Sequence, residues 1–145
     1  MKEQNYNNHT QFYTPHHFVF YPVALILTVA SAVCIFEYPF QQLQFIFITA
    51  ILILIIWLSF MLRQHYALGN QNRIVRLEVR LRYYQLTQKR LEPLEQQLSF
   101  NQIAALRFAS DEELPDLVRR TINESLSPKD IKQAIKNWTP DYMRV

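Results

Sequence analysis

The sequence predicts an all-α protein, a transmembrane helical hairpin followed by a small cytoplasmic helical domain. Three observations carry that prediction. The stretches Phe18 to Phe36 and Phe45 to Leu62 hold 19 and 18 residues without a charge. Basic side chains crowd immediately after the second stretch. From there onward, apolar residues recur at helical spacing between Ser-led capping signals.

Taken in order, residues 1–17 form a polar cytoplasmic arm and residues 18–62 the hairpin, with spans at about 18–36 and 45–62 and an outside loop at 37–44. At about 1.5 Å per residue each span covers roughly 28 Å, near the thickness of a bilayer's hydrocarbon core. Neither has the wet face that a soluble helix keeps, and the rest of the chain is too polar to wrap two buried rods. A cleaved leader is the rival reading for the first span. Against it, the apolar run begins late, and Ser31-Ala32-Val33-Cys34 lacks the small residue that lipoprotein processing needs before the cysteine. The loop EYPFQQLQ holds no Lys or Arg, whereas Arg63, Arg73, Arg76, Arg80, Arg82, Lys89 and Arg90 follow the second span. Basic residues near a span end stay inside. That places a multi-pass protein in a bacterial inner (plasma) membrane with both termini cytoplasmic. Tyr13, Phe18 and Tyr21 then anchor the inner interface, and Tyr38 and Phe40 the outer one.

Ala24, Thr28 and Ala32 recur every four residues, a small-residue stripe along which two backbones can approach. If the chain turns near residue 40, Ala32 lies level with Thr49, Ser31 with Ala50, and Ala24 with Trp57. Packing between the two spans is therefore assigned to Ala24, Thr28, Ala32, Thr49 and Trp57. No Asp, Glu, Lys, Arg or His lies inside either span, so no ion or proton path is marked. Two short unbroken helices also argue against a transporter built from one chain.

Gly69-Asn70 reads as the stop of the second span, with Gly at a left-handed position and Asn restarting the helix. Residues 63–90 follow as a basic juxtamembrane helix. Its middle is ambiguous, because Val75, Leu77, Val79, Leu81 and Tyr83 alternate with charged residues as a strand would. The same segment places Ile74, Leu77, Leu81, Tyr84 and Leu91 at heptad spacing, with Leu98 one repeat further. Nothing else reads as a partner strand, so a helix with two apolar stripes is favoured. Ile74, Leu77, Leu81 and Tyr84 are the expected oligomer interface.

Residues 91–145 form a small helical domain. Pro93 starts or kinks a short helix, Ser99-x-x-Gln102 and Ser110-x-x-Glu113 open two more, and Ser127-Pro128-Lys129-Asp130 opens the last. That last helix should carry Ile131, Ala134, Ile135 and Trp138 inward as far as Pro140. A domain this small is marginal alone and gains from association. Residues 63–90 carry seven basic and one acidic side chain, a net of +6, and residues 91–145 seven and nine, a net of −2. Arg73, Arg76, Arg80 and Arg82 are thus expected to meet anionic lipid or a protein partner, worth about 1 kcal/mol per residue near a membrane surface. No element presents the stripe to a groove, so nucleic acid is not expected.

Composition excludes much chemistry. One glycine removes every Gly-built phosphate cradle, and one cysteine, Cys34, removes disulfide frameworks and Cys-based zinc sites. His16, His17 and His65 share one predicted interface but have no carboxylate ligand at helical spacing. Asp111, Glu112, Glu113 and Asp116 suit the first turn of a helix without any nucleophile beside them. No catalytic, cofactor-binding or metal residue is therefore assigned, and no enzyme is expected.

The stretches NHTQFYTPHHFVFYP (Asn8–Pro22), QHYALGNQNRIVRLEVRLRYYQLT (Gln64–Thr87) and EPLEQQLSFNQIAALRFASDEELP (Glu92–Pro115) resemble a family of small bacterial membrane proteins that forms a domain of unknown function. The resemblance covers most of the chain and implies an inner-membrane location. It includes no catalytic motif and carries no functional residue across. The expected role is a non-enzymatic membrane anchor for a helical domain that self-associates or holds another membrane or cytoplasmic protein. The alternative is an oligomeric, holin-like pore.

Overall fold

The computed structural model describes residues 4–9 and 12–143, and every regular element among them is helical. The chain divides into two compact units, Phe12–Leu68 on one hand and Met1–Gln11 with Gly69–Val145 on the other.

In the apolar unit, π-helical turns at Pro15–Phe20 lead into α1 (Tyr21–Glu37). Pro22 explains the wide winding, because it has no N–H for the carbonyl one turn back and its ring crowds that carbonyl. Tyr38 leaves the helix at φ −121°, a 3₁₀ turn Pro39–Gln41 reverses the chain, and α2 runs Gln42–Met61. The connection is thus shorter than the expected 37–44 loop, since Gln42, Leu43 and Gln44 join α2, as good helix formers next to an apolar run should. The two helices pack along each other through their small residues. Ala24 and Ser31 are buried, and the Thr49 hydroxyl donates to Ser31 Oγ at 2.9 Å. Ser31 in turn donates to the Phe45 carbonyl at 3.3 Å. A π-helical segment, Leu62–Ala67, closes the unit.

The next helix, α3, covers Leu68–Thr87 and from Gly69 onward belongs to the other unit. The strand reading of its alternating middle is thereby excluded. Gly69 does not stop a helix either: it lies inside α3 and has no positive φ. The break comes instead at Gln88, whose φ of 57° is left-handed. Leu91 and Leu98, which continue the heptad arithmetic, have left the helix and lie in the core. After α4 (Glu92–Glu95), Ser99 opens α5 (Phe100–Leu106) with a full capping box, its hydroxyl accepting from the Gln102 N–H while the Gln102 side chain accepts from the Ser99 N–H. Ser127 opens α7 (Pro128–Ala134) in the same way with Asp130. Ser110 is not an N-cap. The chain makes a turn there and α6 (Leu114–Glu124) begins later, with Pro115 in its first turn, where a missing N–H costs nothing.

α7 also ends earlier than expected. Ile135 turns extended at ψ 122°, and the N–H groups of Lys136 and Asn137 point at the Glu113 carboxylate, 3.3 Å away. Trp138 therefore reaches the core from an extended segment, pairing with Ala109 in an isolated bridge and stacking on Phe108 at 4.5 Å. Leu91, Ile103, Leu106, Leu114, Leu117, Val118 and Ile131 form the core that these elements share.

Candidate interaction surface

α3 shows two apolar stripes. Val75, Val79 and Tyr83 face inward at 3%, 2% and 5% exposure, with Val79 and Tyr83 part of the shared core. Ile74, Leu77, Leu81 and Tyr84 face outward at 53%, 59%, 59% and 47%. The alternation that imitates a strand is the sum of these two stripes. Residues 75, 79 and 83 repeat every fourth position, and 74, 77, 81 and 84 follow the 3–4 spacing of the opposite face.

The four arginines of α3 differ in their surroundings. Arg76 and Arg80 converge on Glu95, whose side chain is only 6% exposed, at 2.7 and 2.6 Å. The hydrogen bond from Arg80 to Glu95 is the main reason its guanidinium is held above the usual arginine range. Arg76 also lies 5.9 Å over the Phe100 ring. Arg82 forms an ion pair with Asp111 and donates to the carbonyls of Arg107 and Ala109 at 3.1 and 2.6 Å. Arg73 is exposed and has no ionic partner among the described residues. Sequence spacing did not reveal Glu95 or Asp111 as counter-charges, because a pairing across 15 or 29 positions leaves no local periodic mark.

The N-terminal arm belongs to this unit. Gln4 is buried and makes two hydrogen bonds with the Asp141 backbone, donating to its carbonyl at 3.0 Å and accepting from its N–H at 2.7 Å. His9 packs its ring edge-on to Phe108 at 5.7 Å and against Trp138 at 5.9 Å. Its Nε2 lies 2.8 Å from Lys132 Nζ and its Nδ1 2.7 Å from the Tyr6 carbonyl. An ammonium can only donate, so Nδ1 carries the imidazole proton and Nε2 accepts. Beneath the arm, Arg107 sits 4.0 Å over the Phe108 ring and donates to Asp141 at 2.8 Å.

A shallow cleft of about 320 Å³ lies between α3 and this C-terminal segment, lined by Glu78, Val79, Arg82, Arg107, Asp141 and Tyr142 among others. Both of its guanidinium groups already meet acids and carbonyls. The acidic cluster is likewise engaged: Asp111 with Arg82, Asp116 with Arg119, and Glu113 with the end of α7. His16 and His17 have ring centres 5.3 Å apart and His65 is exposed. Among the described residues, no group of three or more His, Cys, Asp or Glu side chains is placed to hold a metal.

Of the residues assigned to packing between α1 and α2, Ala24 is buried, and Ala32 and Thr49 are half-buried. The Thr28 hydroxyl turns back to the Ala24 carbonyl at 2.7 Å. Trp57 is 60% exposed. The Ser31–Thr49 hydrogen bond pairs positions whose numbers sum to 80, one away from the expected depth register.

Both apolar helices are long and apolar enough to cross a membrane, Pro15–Glu37 alone holding 23 residues. No curated protein and no solved structure matches the chain. A family model described as a family of unknown function (DUF6526) matches residues 1–145, and the chain belongs to that family.

Proposed function

We propose that this protein is a non-enzymatic membrane anchor, with α1 and α2 crossing a bacterial inner membrane as a hairpin and α3 to α7 forming a cytoplasmic interaction domain. The observation that carries this reading is the exposed apolar surface of α1 and α2, including Leu25 at 60%, Ile26 at 66%, Leu54 at 58% and Leu58 at 57%. Leaving one such side chain in water forgoes about 1.5–3 kcal/mol. Some twenty of them together exceed the 5–15 kcal/mol stability of an ordinary domain. Lipid removes that conflict.

Two further features support the orientation. Both ends of the hairpin lead into one unit, because the arm residues Gln4 and His9 bind Asp141, Lys132 and Trp138. A single compact unit cannot straddle the bilayer, so arm and C-terminal helices belong on one side. Arg63, Arg73 and the other basic residues after α2 make that side the cytoplasm.

The test is cysteine accessibility in intact cells, in a Cys34→Ala background. A cysteine at Phe40 should react with a membrane-impermeant maleimide, and cysteines at Asn7 and Ser125 should react only after lysis. Labelling of Asn7 or Ser125 in intact cells, or release of the protein by alkaline carbonate, overturns the reading. Dye leakage from vesicles at low protein-to-lipid ratio would replace it with the holin-like pore.

A further inference from the structure

We propose that the outward stripe of α3 seats against the same stripe of a second copy of this chain, as a short parallel two-stranded coiled coil registered by Arg73 of one copy and Glu78 of the other. The inference rests on the membrane-anchored reading and names the partner of its interaction surface.

Ile74 and Leu81 fall at a positions, Leu77 and Tyr84 at d, and all four are about half exposed in the single chain. A β-branched residue at a with Leu at d, as in Ile74 and Leu77, favours two parallel strands. The proposed pair sets the two α3 helices side by side in the same direction. In that arrangement the g residue of one helix meets the e residue five positions on in the other. Arg73 is at g and Glu78 at e. Within one chain these two lie on opposite flanks of the stripe and cannot meet, and neither has an ionic partner among the described residues.

The remaining charge does not oppose the approach. Arg76, Arg80 and Arg82 are each paired with an acid of their own domain, Glu95 or Asp111. Four apolar knobs per helix are too few for a free coiled coil. Confinement of both copies to one membrane supplies the effective concentration that such a short seam needs.

The test uses the full chain with Cys34→Ala, reconstituted in phosphatidylethanolamine–phosphatidylglycerol vesicles, and reads disulfide crosslinking between copies. Ile74→Cys and Tyr84→Cys should each crosslink to the same position of the other copy at least about five-fold more than Leu86→Cys, which lies on the far side of α3. An antiparallel pair would hold those two positions about 15 Å apart, so crosslinking through neither overturns the proposal. Arg73→Glu or Glu78→Arg alone should lower crosslinking through Ile74→Cys about three-fold, and the double exchange should restore it. Failure of the double exchange to restore it overturns the register. Stripe cysteines that do not crosslink, resist a water-soluble maleimide and accept a lipid-soluble one would mean that lipid covers the stripe, which also overturns the proposal. Carbonate extraction of the same vesicles separates the two levels: protein retained without crosslinking rejects this dimer and leaves the anchor reading standing.

Discussion

Glu95 shows how one side chain organises its surroundings. Its carboxylate is nearly enclosed and receives guanidinium groups from successive turns of α3, at 2.7 Å from Arg76 and 2.6 Å from Arg80. Removing one partner of an enclosed ionic cluster strands the rest in low dielectric, although these arginines, 40% and 31% exposed, can partly rehydrate. Glu95→Gln should therefore destabilise the unit by about 2 kcal/mol, read by urea unfolding in detergent. The same substitution in an Arg76→Ala, Arg80→Ala background should cost under about 0.5 kcal/mol, because the interaction has already gone. Equal costs in both backgrounds would show that Glu95 acts through packing alone. The sequence displays these arginines as a basic stripe and gives no sign that three of the four have acids waiting in the fold. Long-range pairs of this kind are set by how α3 and α4 meet, which residue spacing along the chain does not encode.

Among the elements, the legible parts are those with local causes. Ser99 with Gln102 and Ser127 with Asp130 specify helix starts within four residues, and both capping boxes form. Ser99→Ala should cost about 1 kcal/mol, measured by the same unfolding. The two stripes of α3 were readable from periodicity, whereas Gly69 misled because glycine is the usual residue of a helix stop. The fold puts the left-handed backbone elsewhere, at Gln88 and Ser125, with φ of 57° and 51°. A methyl group added at Gly69 would meet nothing within 4 Å. Gly69→Ala should thus stabilise α3 by roughly 0.5–1 kcal/mol, and Gln88→Gly should help by a similar amount through relief of its positive φ. Destabilisation by Gly69→Ala in a thermal melt would reinstate a stop at that glycine.

At the scale of the whole molecule, the least legible feature is that the chain's two ends meet. Nothing in Gln4 or His9 announces a partner more than 120 residues away, and short polar arms usually remain solvated. The contact arises because Trp138 and Phe108 leave an aromatic surface that His9 can cover, while the Asp141 backbone offers an N–H and a carbonyl that match the Gln4 amide. This clasp makes a local, measurable claim. Gln4→Ala removes the acceptor of the Asp141 N–H, so exchange of that amide should quicken by about ten-fold, the equivalent of roughly 1.4 kcal/mol. The Thr139 N–H, bound to the Phe108 carbonyl at 2.7 Å, should keep its protection. Loss of protection at both amides would mean that the arm holds the whole C-terminal segment in place. No change at either would mean that the arm does not sit there in solution.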